Sequence, residues 1–177
     1  MSPQPLQGDF FDRVRTVAVA VMIAAGAAVI IGSALDWVSI VEETGVRPNV
    51  DFGDNNEFLE SDQVSRPFTG LEARYGVYSL VAGVMLIGAA IMLWLRRRGK
   101  WAWLGFLASV VIGGLAITSY RAIADTTSPL YEELDIIGRA QPAIGITLVA
   151  AGAIIGLVSS VAGVTATPYA EPEENPA

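Results

Sequence analysis

Long stretches without a charge alternate along this chain with short charged ones, and the alternation sets the expected architecture. Residues 17–35, 75–95, 101–120 and 140–170 contain no Asp, Glu, Lys or Arg. A run of about 20 apolar residues, rising about 1.5 Å per residue as a helix, spans a hydrocarbon core about 30 Å thick. The pattern predicts an all-α membrane protein: a four-helix transmembrane bundle within one domain, 14–164. Its helices are expected near 15–35, 75–95, 101–120 and 141–163.

Between the second and third runs lies a basic pin of Arg96, Arg97, Arg98 and Lys100, forming an inner loop 96–100. So short a link makes the two helices an antiparallel hairpin. Lys and Arg are retained on the cytoplasmic side, so the pin puts both termini in the cytoplasm and the loops 36–74 and 121–140 outside. Arg47, Arg66, Arg74, Arg121 and Arg139 in those loops nearly balance the inner cations by number, and it is the density of the pin that decides. A cleaved secretory signal is the rival reading of the first run, with Gly32-Ser33-Ala34 as small residues for cleavage. That run is longer than an ordinary signal core and three more follow, which favours an uncleaved helix. Residues 1–13 form a loose cytoplasmic tail with Phe10 and Phe11 at the interface, and 165–177, rich in Pro and Glu, a disordered acidic one.

The connecting segments carry weaker signals. Trp37-Val38-Ser39-Ile40-Val41 has the β-branched content of a strand, and residues 63–69 could return beside it. Pro67 restricts that second strand to a sheet edge. The outer loop is therefore expected to hold a small β-hairpin capping the bundle. Further on, Leu130, Leu134 and Ile137 share one face of a short surface helix.

Within the helices, small residues recur at four-residue spacing. Ala20, Ala24, Ala28 and Gly32 form one stripe, Gly105, Ser109 and Gly113 a second, and Gly152 and Gly156, with Ser160, a third. Such stripes let helices approach closely, either inside the bundle, the plainer reading, or between copies of the chain. Trp94, Trp101 and Trp103 near the pin, and Trp37, Tyr75, Tyr78 and Tyr120 at the opposite helix ends, are placed as two interfacial belts. Residues 80–88 can also be laid over 148–156 as a faint internal repeat.

Composition narrows the chemistry. The chain has 177 residues, 53% hydrophobic and 16% charged, with no Cys and no His. Its mean hydropathy is +0.49. Without those two residue types, disulfides, thiolate or imidazole metal sites and nucleophile–His pairs are excluded. A net charge of −7 gives no basic footprint for nucleic acid. Asp51, Asp54 and Glu57 offer oxygens of the kind a hard cation such as Ca²⁺ takes, but their spacing does not fit an EF-hand, and solvation is the simpler reading. The spans hold no ionisable group at mid-depth, as a proton-coupled carrier would. Asp36 or Glu72 could pair with Arg121 to hold the outer loops together. Neither a phosphate loop nor a catalytic constellation is present, so no enzyme and no cofactor are expected.

The first helix ends in Ala34-Leu35-Asp36-Trp37-Val38-Ser39, and the outer loop closes with Thr69-Gly70-Leu71-Glu72. With the Arg96–Lys100 turn and Tyr120-Arg121, these features over residues 14–163 resemble small four-span membrane proteins of actinobacteria. Many of those carry Pro where this chain has Asp36. The resemblance implies an integral membrane location and brings no functional residues with it. The expected role is a non-enzymatic accessory or scaffold subunit of a cell-envelope complex in the plasma membrane. Its partners would be the bilayer and other membrane proteins, or a second copy of itself. An oligomeric channel or small-solute transporter is the alternative, and a sensor with an acidic outer loop the next.

Overall fold

The computed structural model describes residues 6–41, 65–72, 74–129 and 139–167. In chain order the elements are α1 (Leu6–Ala34), β1 (Asp36–Val41), β2 (Ser65–Thr69), α2 (Arg74–Arg96), α3 (Gly99–Ala124), β3 (Arg139–Pro142) and α4 (Ile144–Thr165). All four helices are long and apolar enough to cross a membrane. They form a ring in which α1 packs on α2, α2 on α3, α3 on α4 and α4 on α1, while α2 and α4 barely meet across the middle.

Each helix turns one stripe inward. On α1 it is Ala18, Met22, Ala25, Val29 and Ser33, at the spacing of three and four that keeps residues on one face. Met22, Leu86, Leu93, Ile112 and Val149 are fully buried along the bundle axis. The outer surface is just as aliphatic: Val17, Val84, Ile117, Ile154 and Val158 are all more than half exposed. A helix apolar on every side is stable only inside a protein or inside a bilayer. These helices have only one face inside the protein, so the other belongs in lipid and the chain is a multi-pass membrane protein.

The first three helices run longer than the charge pattern suggests. α1 begins at Leu6, so most of the expected tail 1–13 is helical; Asp9 in its first turn complements the helix dipole. Asp12 and Arg15 pair one turn apart at 2.9 Å, stabilising the same region. α3 continues through Arg121, a cation suited to a helix C-terminus, to Ala124. The pin is a tighter turn than the loop 96–100: only Arg97 and Arg98 lie between α2 and α3. Arg97 takes φ of 49°, a left-handed conformation costing a non-glycine residue about 1–2 kcal/mol.

The expected hairpin is present, with a third strand added. β1 is central, antiparallel to β2 on one side and β3 on the other. Pro67, opposite Ser39, lies in an edge strand as anticipated, and so does Pro142, opposite Val38. Residues 141–143 thus belong to a strand and its exit, and α4 starts at Ile144. The proposed repeat is corrected as well. Laying 80–88 over 148–156 pairs buried Leu86 with exposed Ile154, and exposed Val84 with buried Gly152. The burial pattern instead matches Ala82 with Gly152, Leu86 with Gly156 and Leu93 with Gly163. The nine-residue match therefore does not bring structurally equivalent positions together.

Candidate functional site

The most constructed part of the molecule is the end of the bundle under the sheet, where Trp37 acts as a keystone. Along β1, Asp36 faces Thr69 and Val38 faces Phe68, leaving Trp37 as the extra residue of a bulge. A bulge re-aims side chains, and here two consecutive residues, Trp37 and Val38, are both buried. The final carbonyls of α1 have no partners in their own helix. One of them, Gly32 O, accepts a 2.8 Å hydrogen bond from Trp37 Nε1. Trp37 O in turn accepts from Ala143 N at 2.9 Å, at the start of α4.

Two glycines make room for this indole, and a third makes room for one of them. A Cβ on Gly70 would collide with Trp37 Nε1 and lie 2.5 Å from Ser33 O. A Cβ on Gly76 would run into the Gly70 carbonyl. One on Gly145 would sit 2.6 Å from Gly32 O and 2.8 Å from Trp37 Cδ1. So α1, α4 and the turn after β2 converge on one side chain, and α2 packs behind that turn through Gly76. An interfacial-belt position for Trp37 is therefore corrected: it is 1% exposed. Tyr78, Tyr120, Trp94 and Trp103 do remain on the outer surface.

Just below, Ser33 Oγ lies 2.7 Å from Ser79 Oγ, tying α1 to α2. Ser33 Oγ is also 2.8 Å from Val29 O, and Ser79 Oγ 2.9 Å from Gly76 O. Two hydroxyl protons serve three contacts, so one carbonyl at a time goes without. Interhelical hydroxyl bonds in membrane bundles couple by about 0.6 kcal/mol on average and up to about 1.7. Ser33→Ala, Ser79→Ala and the double variant should show coupling in that range by reversible unfolding. Strict additivity would mean the contact links nothing.

The anticipated ion pair across the outer loops is absent. Among the described residues, Arg121 pairs with neither Asp36 nor Glu72. The Glu72 carboxylate instead accepts from Thr69 N at 2.8 Å and Thr69 Oγ1 at 3.2 Å, closing the turn that delivers Gly70. A local partner three residues away costs less ordering entropy than a distant arginine. Asp125, past the end of α3, closes a similar turn. Its carboxyl is held below the usual aspartate value by the Thr127 hydroxyl and then by the Thr127 backbone N–H.

The small residues divide into two groups. Gly32 meets Gly145 where α1 crosses α4, and Gly152 packs on Ala25 O and Val29. Gly105 lies against Met22 and Ser160, Gly156 against Ser109, and Gly113 more loosely against Ala153. Ala20 and Ala24 are exposed and Ala28 is only half-buried, so the α1 stripe is not its packing face. Larger residues, Met22 and Val29, fill the axis instead, because a four-helix ring needs volume at its centre and small residues only at the crossings.

At the other end Arg96, Arg97, Arg98 and Lys100 are exposed around the turn, with Lys100 5.5 Å over the Trp101 ring. Arg15, in the N-terminal part of α1, is buried and paired with Asp12. The carboxylates Asp51, Asp54 and Glu57, and the face of Leu130, Leu134 and Ile137, lie outside the described residues. Chemically the sheet end presents hydroxyls and carbonyls mostly engaged with one another, an arrangement suited to holding structure, while Ser119 Oγ near the C-terminal end of α3 is buried without a partner among the described residues. Comparison with family models, curated proteins and solved structures finds no match, so this geometry alone supports a functional reading.

Proposed function

We propose that this chain is a non-enzymatic scaffold or accessory subunit of a cell-envelope complex in the plasma membrane. The basic turn Arg96–Lys100 faces the cytoplasm and the sheet faces outward, with both termini inside. One observation carries the reading. Val41 pairs with Ser65, so the two ends of segment 42–64 leave neighbouring positions of a sheet locked to the bundle by Trp37. A rigid pedestal for a polar segment is what presentation to a partner requires. The filled axis at Met22, Leu86 and Ile112 supports a structural role over conduction through one bundle.

Gentle purification of the tagged chain from its native membrane, followed by mass determination, tests this. Stoichiometric foreign subunits are expected, and they should be lost when 42–64 is replaced by a short Gly-Ser linker. A companion-free homo-oligomer that passes solutes in liposomes would overturn the scaffold reading in favour of a channel.

A further inference from the structure

On the lipid-facing side of α1 and α2, near the basic turn, lies an apolar groove of about 250 Å³ lined by Thr16, Val19, Ala20, Ile23, Ile91 and Trp94. Its depth comes from Ala20, whose small side chain is exposed between larger neighbours. The groove runs out at Thr16 and Trp94, within one helical turn of Arg13 on α1 and of Arg96 on α2. Arg13, Arg96, Arg97 and Arg98 are exposed and carry no ion pair among the described residues. Of the two carboxylates at this end, Asp9 and Asp12, the second is already taken by Arg15.

We propose that this groove and the basic turn form one binding site for an anionic phospholipid. An acyl chain lies against Ala20, Ile23 and Ile91, and the phosphate meets the arginines. The two halves have complementary demands. The groove offers nothing polar to a water-soluble anion, and the exposed arginines gain only weakly from a phosphate with no anchor beside them. A lipid satisfies both at once, and basic clusters next to membrane helices attract anionic headgroups. A second copy of the chain is disfavoured by charge. Copies share one orientation in a membrane, so a two-fold contact through this groove would bring two basic turns side by side.

Native mass spectrometry of the full chain in detergent provides the test. The ligands are phosphatidylglycerol, phosphatidylcholine with the same acyl chains, and the soluble headgroup glycerol phosphate. Phosphatidylglycerol should be retained over phosphatidylcholine by at least about tenfold, with glycerol phosphate not retained. Ala20→Phe fills the groove from its open side and should bring phosphatidylglycerol down to the phosphatidylcholine level. Val158→Phe, on the lipid face of α4, should change nothing. Arg96→Gln with Arg98→Gln, leaving Arg97 and Lys100 to hold orientation, should abolish the preference without emptying the groove. Equal retention of the two lipids would overturn the proposal. So would retention of glycerol phosphate, which would reveal a free-anion site. A dimer that Ala20→Phe dissociates would assign the groove to a second copy.

Discussion

Trp37→Ala should destabilise the bundle by about 3–5 kcal/mol, the range for truncating a fully buried large aromatic. Two separate losses contribute. Removing the indole opens a cavity between Gly70 and Gly145, both of which lack a Cβ to fill it. It also strands Gly32 O, a buried carbonyl at the end of α1 that Trp37 Nε1 serves. Trp37→Phe separates the two, keeping most of the volume and losing the donor, and should cost about 1–3 kcal/mol. Reversible unfolding in mixed micelles gives both numbers, and amide exchange along β1 should rise in the same order. A Trp37→Ala protein as stable as the parent would mean that the sheet merely rests on the helices.

Gly145→Val is expected to be as damaging for a different reason. Its Cβ would fall 2.6 Å from Gly32 O and 2.7 Å from Asp36 O, and both are backbone atoms that no rotamer change can move aside. α1 and α4 would have to separate where Gly32 meets Gly145, with a loss of about 3 kcal/mol expected, the upper end of the usual range for overpacking. Ala24→Leu is the matched comparison. It lies on the α1 stripe of small residues but is exposed, and it should change stability by no more than about 0.5 kcal/mol. If Ala24→Leu proves the more damaging of the two, the stripe and not the glycine crossing is the tight interface.

The contrast between those positions shows what this sequence makes legible. Apolar length alone located all four helices, because a bilayer demands it of any spanning segment. Four-residue spacing identified a face on α1 without saying where it points. The axis of the ring needs the bulk of Met22 and Val29, so the smaller Ala20 and Ala24 were left outside. The hairpin of β1 and β2 was readable from β-branched residues and Pro67. β3 was not, since Arg139-Ala140-Gln141-Pro142 has little strand character of its own and pairs because α3 and α4 carry it beside β1. Trp37 was placed at a helix end, and only the bulge turns it inward. The Ser33–Ser79 contact joins residues on two helices whose relative rotation no single-helix pattern contains.

The central position of β1 bears on how the molecule is made. Its first partner, β2, is the next strand in the chain, but Val38 pairs with Pro142 on the other side, and that strand emerges only after α2 and α3. At about 5–20 residues per second the ribosome takes on the order of 5–20 seconds to supply it. For that interval one side of β1 is an open template for any extended chain nearby. Biogenesis is therefore most exposed after the third span and before the fourth, and a chain that stops there would display an unpaired strand edge instead of a closed cap.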